Sequence, residues 1–186
     1  MRKKLTEMSL EELWQLFPIF LTAPKACWKE WYLEEEVFLQ KLLPQTERIS
    51  HIGSTAIPFI WAKPIIDILV EIPKNANLRT YQALLVDNGY LCMSENKDKL
   101  SFNKGYTEQG FAERVFHLHL RYAGDNDELY FRDYLLEFPE IAKEYEQLKL
   151  SLWKKFEHNR DGYTNAKTEF IKKHTAKAKA LYGGRY

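Results

Sequence analysis

Residues 65–72, IIDILVEI, constrain this chain more than any other stretch. Alternation puts Ile66, Ile68, Val70 and Ile72 on one face of a strand, and Ile65, Asp67, Leu69 and Glu71 on the other. A strand this apolar belongs to a sheet within a core. Its carboxylate, Asp67, is costly there unless it is paired, hydrogen-bonded or metal-bound. Upstream, a strand from Arg48 to Ile52 ends at the turn Gly53-Ser54-Thr55, and twelve residues separate Ser54 from Asp67. Two readings of Asp67 stand side by side. It is either a structural tie, to Lys63 or an arginine, or a metal-binding or general-base carboxylate.

The flanking pattern is helical, then mixed, then helical again. A capping box at Ser9 and Glu12 opens a helix over Leu10 to Phe17, stopped by Pro18. FPIFL reads as extended, and Pro24 opens a helix over Lys25 to Leu43 with Trp31, Phe38 and Leu42 on one face. Glu34, Glu35 and Glu36 read as a solvated face. Leu78, Tyr81, Leu84 and Leu85 mark a helix ending at Asn88-Gly89. Strands are expected over Tyr90–Ser94, Leu100–Tyr106 and Arg114–Tyr122. From Asp127 the chain turns helical. Pro139 opens a second helix, HNRDG breaks it, and a last helix runs from about Thr164 to Leu181. This order predicts one α+β domain over residues 1–186, with a sheet core at about 45–125 and C-terminal helices at about 127–182.

Composition narrows the function. Lys+Arg total 27 against Asp+Glu 26, which argues against a dedicated nucleic-acid surface. Cys27 and Cys92 lack metal-ligand spacing and read as buried reduced thiols. The opening MRKKLTEMSLEEL lacks the apolar core of a signal peptide, and no run approaches the ~18 apolar residues of a membrane span. The expected location is the cytoplasm, with no membrane partner.

Gly53-Ser54-Thr55 is a candidate phosphate cradle, because glycine permits close backbone approach and hydroxyls and amides hold phosphate oxygens. In VFHLHLRY, His117, His119 and Arg121 share one strand face. The two histidines stand roughly 6.5–7 Å apart, a spacing that ligates one metal ion or brackets one phosphate. A solvated polar face is the alternative. His51 is a third histidine near the same edge. Arg132 lies in an aromatic cluster, either with a role at the site or paired with Asp133. Lys149, Arg160, Lys167, Lys172 and Lys173 read as solvated helix surface. No Walker loop, GxGxxG, GxSxG or HExxH occurs.

HIGSTAIPFIWAKPIIDILV resembles the GrpB family, a nucleotidyltransferase-like group, and FHLHLRY, FRDYL and YTNAKTEFI are similar to its later segments. The resemblance covers about residues 20–172. It implies a nucleotidyltransferase-like mixed β-sheet flanked by helices, with a C-terminal helical portion. In that fold the serine of the Gly-Ser turn contacts nucleotide phosphates. Two carboxylates one residue apart, with a third from a later strand, hold divalent ions. Some family members are fused to a kinase of coenzyme A synthesis, which points to nucleotide metabolism.

This sequence departs from the pattern. Leu69 replaces the second carboxylate, and Glu71 lies about 13 Å along the strand from Asp67. His117 and His119 stand where the third carboxylate would come, and Phe59 where relatives resemble a VPG-type turn. These donors suit one transition metal, Zn²⁺ or Mn²⁺, better than two Mg²⁺. The expected site is therefore Asp67, His117 and His119 for metal and chemistry. Gly53, Ser54, Thr55, Lys63, Arg121 and Arg132 are expected to bind phosphate. The expected ligand is a nucleotide or phosphorylated small molecule. It is either turned over by metal-dependent phosphoryl or nucleotidyl transfer or hydrolysis, or bound without turnover. A two-histidine phosphoesterase ranks last, because His51 and His117 lack its hydroxyl spacing.

Overall fold

A computed structural model describes residues 3–43 and 45–186; the Met1-Arg2 start of the basic N-terminal stretch lies outside them. Five strands form one mixed sheet: β1 (Arg48–Ile52), β2 (Ile66–Ile72), β3 (Leu91–Glu95), β4 (Lys99–Thr107) and β5 (Gly110–Tyr122). Their order is β1-β2-β5-β4-β3. β2 pairs antiparallel with β1 and parallel with β5, while β4 pairs antiparallel with β5 and β3.

The two faces of β2 meet different partners. Ile66, Ile68, Val70 and Ile72 join the main core with Phe116, Leu118 and Leu120 of β5. Helices α2 (Cys27–Leu42) and α3 (Leu78–Asp87) cover that face through Trp28, Tyr32, Leu39, Leu78, Tyr81 and Leu85. On the other face, Leu69 and Ile52 pack against Leu129 of α4 (Asp127–Glu137). Helices α5 (Pro139–Trp153) and α6 (Arg160–Tyr182) follow and pack on α4. The loop after β1 threads between sheet and helices, with Ile57 and Ile60 fully buried against Leu135, Ala142 and Tyr145.

Local chemistry sets the helix ends. Ser9 Oγ accepts from the Glu12 amide and Glu12 answers at the Ser9 amide, the expected capping box of α1 (Leu10–Leu16). Asn77 caps α3, and Pro139 opens α5. The extended FPIFL stretch is clamped to the C-terminal helices: Ile19 N donates to Glu157 O, and Trp153 Nε1 donates to Ile19 O. Among the described residues no helix is long and apolar enough to cross a membrane.

Four expectations need correcting. The break between α5 and α6 falls at 154–159, so it takes in only His158 and Asn159 of HNRDG, and the last helix starts four residues before Thr164. Asn159 accepts from the Gly162 amide and α6 starts at Arg160. β5 starts at Gly110, four residues early, because it hairpins with β4 through Thr107 and Gly110. Glu35 is buried, not solvated, and accepts from Tyr90 OH at 2.7 Å and Lys104 Nζ at 2.6 Å. Cys92 is exposed on the edge strand β3 and Cys27 is half-buried; both are free thiols.

Candidate functional site

Gly53 ends β1 with φ 70°, a conformation that glycine adopts without penalty. A Cβ there would collide with Asp67 Oδ2. The turn residue and the carboxylate are thus fitted to each other. A single 3₁₀ turn, Ser54–Ala56, follows. Thr55 is a structural pin. Its hydroxyl donates to Ile65 O at 3.0 Å and lies 3.0 Å from His51 Nε2. His51 stacks on Tyr32 of α2, ring centroids 4.7 Å apart, and so belongs to the opposite face from Asp67.

Asp67 stands in register with His117 on β5, and Leu69 stands beside His119. Asp67 Oδ1 lies 3.3 Å from His117 Nδ1, and His117 Nε2 lies 2.8 Å from Tyr106 OH. β4 and β5 lose register between Lys104 and Tyr106, at Gly105 with φ 89°. That irregularity turns Tyr106 to the His117 side, whereas Lys104 reaches Glu35 on the other. Burial lowers the His117 pKa against the pull of Asp67. The ring is therefore neutral near pH 7, with Nδ1–H toward Asp67 and Nε2 accepting from Tyr106. Burial alone would raise the Asp67 carboxyl. The His117 hydrogen bond and the neighbouring His117, His119 and Lys63 outweigh burial and bring it to about 2. Burial drives His119 down to about 4, with Asp67 opposing.

Cations crowd this carboxylate. Burial pushes Lys63 down to about 7, and Lys167 and Arg160 push further against the pull of Asp67. Burial likewise takes Lys167 to about 8, with Asp67 pulling up and Arg160 pushing down. Both ammonium groups lie over the Tyr163 ring, at 5.5 Å for Lys63 and 4.2 Å for Lys167. Arg160 is within hydrogen-bonding reach of Tyr106. Arg160, Tyr163 and Lys167 sit at steps of three and four, one face of α6. Lys149 is 2% exposed and donates to Trp61 O; burial and then Lys167 push it to about 7. Ser54 hydrogen-bonds with Tyr145 of α5. Reading Lys149, Arg160 and Lys167 as solvated surface is therefore corrected. Their three-dimensional burial leaves no mark in a helix-surface pattern.

The other expected residues divide. Ser54, Gly53 and His119 line the same cavity as Asp67, and Lys63 lies near enough for Asp67 to act on its ammonium group. Arg121 instead forks onto Glu128, at 3.0 and 2.6 Å, with Asp125 at 3.2 Å. Arg132 donates to His51 O, Asp133 and Tyr186 OH. Its pairing with Asp133 is the structural alternative weighed for it, although it also lines the cavity described next. Glu71 is buried and accepts from Gly124 N and Asn126 Nδ2, with Arg48 Nε at 3.4 Å. A cavity of about 420 Å³ is lined by Gly53, Ser54, Asp67 and His119, by Phe131, Leu135 and Ile171, and by the charged Asp127, Glu128, Lys172 and Lys179.

The metal set is not assembled. Among the described residues no three His, Cys, Asp or Glu side chains gather as a metal group. His119 lies beside Leu69, and both His117 nitrogens are engaged. A two-ion centre would need a second carboxylate where Leu69 stands, and Glu71 is spent elsewhere. These donors do not fit it.

Comparison with known proteins places this architecture. The family model described as GrpB protein matches residues 18–177. The chain is 34% identical over 160 residues to the glutamate-rich protein GrpB of Alkalihalophilus pseudofirmus, covering 82% of this chain and 91% of that protein. It is 35% identical over 162 residues to the UPF0157 protein YqkA of Bacillus subtilis, covering 85% of this chain but only 46% of YqkA. The crystal structure of conserved protein GrpB from Enterococcus faecalis superposes with a TM-score of 0.73 at 31% identity, covering 88% of this chain and 99% of that one. The Cid1 poly (U) polymerase with MgGTP bound superposes at a TM-score of 0.50 and 10% identity, over 76% of this chain and 44% of that one, a likeness of fold alone.

Proposed function

This chain belongs to the GrpB family, with a nucleotidyltransferase-like fold, and from that premise we propose that its cleft holds the phosphate groups of a nucleotide or related phosphorylated small molecule. One observation carries the reading. Lys63 and Lys167 gather with Arg160 around a single carboxylate-bearing cleft, both lysines acting on Asp67 beside the Gly53-Ser54 turn. Cations brought together in this way repel one another, and an anion relieves them. The adjoining cavity, with Phe131, Leu135 and Ile171 among its walls, suits a nucleoside-sized group joined to those phosphates.

A second reading, in which the ligand is turned over by phosphoryl or nucleotidyl transfer, is favoured by the chain Tyr106–His117–Asp67. A histidine held between a hydroxyl and a carboxylate is arranged to pass protons.

The test is a thermal-shift panel of ATP, GTP, CTP, UTP, dephospho-coenzyme A and pyrophosphate. At least one compound is expected to raise the melting temperature of the wild type by a few degrees at about 100 times its Kd. Lys167→Gln is expected to lose that response. Absence of a shift with every compound overturns the reading.

A further inference from the structure

The cleft's charge count points to how the phosphates are neutralised. Where the fold would place a second carboxylate for metal ions, this chain has Leu69. Oδ1 of the surviving carboxylate is engaged by His117 Nδ1, and Oδ2 lies against Gly53, where a Cβ would collide with it. Two cations act on the carboxylate, Lys63 from the loop before β2 and Lys167 from α6, and Arg160 of α6 stands near both lysines. With both lysines protonated, three positive charges meet one negative charge.

A second observation points to a ligand. Tyr163 is 1% exposed, and its hydroxyl has no hydrogen-bond partner among the described residues. Its ring lies beneath both Lys63 and Lys167. A buried hydroxyl left unpaired is costly, and one set among cations is a donor awaiting an acceptor oxygen. On the neighbouring strand, Asn103 stands in register with His117, 4% exposed, with an unpaired Nδ2 donor.

We propose that these cations do the charge-neutralising work that metal ions do elsewhere in the fold, so that the cleft binds a chain of two or more linked phosphates as a metal-free polyanion. The proposal rests on the phosphate-binding reading above and specifies its ligand. Lys63, Lys167 and Arg160 neutralise the chain, Tyr163 donates to it, and Asp67 holds the lysines in place rather than a metal. A diphosphate or longer chain offers the three cations more anionic oxygens, spread over a greater length, than a single phosphate does. The depressed lysines agree with this. Burial, with the neighbouring cations, favours the neutral lysines, and a bound anion favours their charged form. Lys149 and Tyr145 complete the charged and titratable surroundings, on α5.

Isothermal titration tests this with orthophosphate, pyrophosphate, tripolyphosphate and ATP, each in EDTA and in excess Mg²⁺. Pyrophosphate and tripolyphosphate are expected to bind in EDTA at least about tenfold more tightly than orthophosphate, and several-fold more weakly in Mg²⁺. Binding at pH 8 is expected to take up protons, read from the difference between two buffers of unlike ionisation enthalpy. Asp67→Asn is expected to keep or strengthen binding in EDTA, and Arg160→Gln to weaken it about tenfold or more. ATP binding more tightly than tripolyphosphate assigns the adjoining cavity to a nucleoside; equal affinity assigns the ligand to the phosphate chain alone. Either result supports metal-free capture. Binding that requires Mg²⁺ and is lost in Asp67→Asn overturns this proposal but leaves phosphate binding standing. No binding in either condition overturns both.

Discussion

Gly53 shows how closely the site is fitted at the scale of one residue. Its positive φ and its contact with Asp67 Oδ2 leave no room for a methyl group. Gly53→Ala is expected to cost about 1–3 kcal/mol in urea unfolding. Tyr106 makes a different demand. Tyr106→Phe strands His117 Nε2 in a buried setting, at a cost of about 1–3 kcal/mol. Imidazole ¹⁵N spectra are expected to show the Nδ1–H tautomer dominant in the wild type and mixed in the variant. The Gly53–Asp67 pair is legible in the sequence because both signals are local: a Gly-Ser turn at a strand end and a carboxylate in an apolar strand. Tyr106 is not, since an alternating pattern cannot register the irregularity at Gly105 that turns its side chain.

Among the elements, α6 carries the most consequence. Its Arg160, Tyr163 and Lys167 face the cleft, while Lys172 and Lys173 remain exposed. Desolvation of Lys167, with repulsion from Arg160 and against the pull of Asp67, burdens the ligand-free fold, so Lys167→Gln is expected to stabilise it by about 1 kcal/mol at pH 7, even as it removes the response to phosphates. Lys173→Gln is expected to change neither by more than about 0.5 kcal/mol in chemical denaturation. The strands and the order of the helices can be read from apolar periodicity and caps. Which lysines turn inward cannot, because that depends on α6 crossing the loop before β2. Glu35 teaches the same lesson on α2. Inside a run of three glutamates it reads as solvent-facing, yet Tyr90 and Lys104 meet it from the sheet.

The molecule as a whole carries these burdens into its pH profile. His51 and His119 titrate near 4 when folded, below their ordinary value of 6.5, chiefly through burial. Between those limits the unfolded chain binds more protons, so stability rises with pH. Lys63, Lys149 and Lys167, depressed to about 7 or 8 from 10.5, extend that rise from about pH 7 toward 10.5. Above pH 10 the sign reverses, because burial raises Tyr90 and Tyr145 and the unfolded chain ionises first. Urea midpoints are therefore expected to climb from pH 5 to pH 9 and fall beyond 10; a maximum near pH 6 would contradict the buried lysines. The threading of the site has a kinetic side as well. Lys63 and Asp67 meet Arg160 and Lys167 only after a loop of roughly a hundred residues closes, an entropic cost met before any contact rewards it. A refolding chain thus regains its sheet while the cleft is still unmade, and capture of pyrophosphate should lag the return of far-ultraviolet circular dichroism.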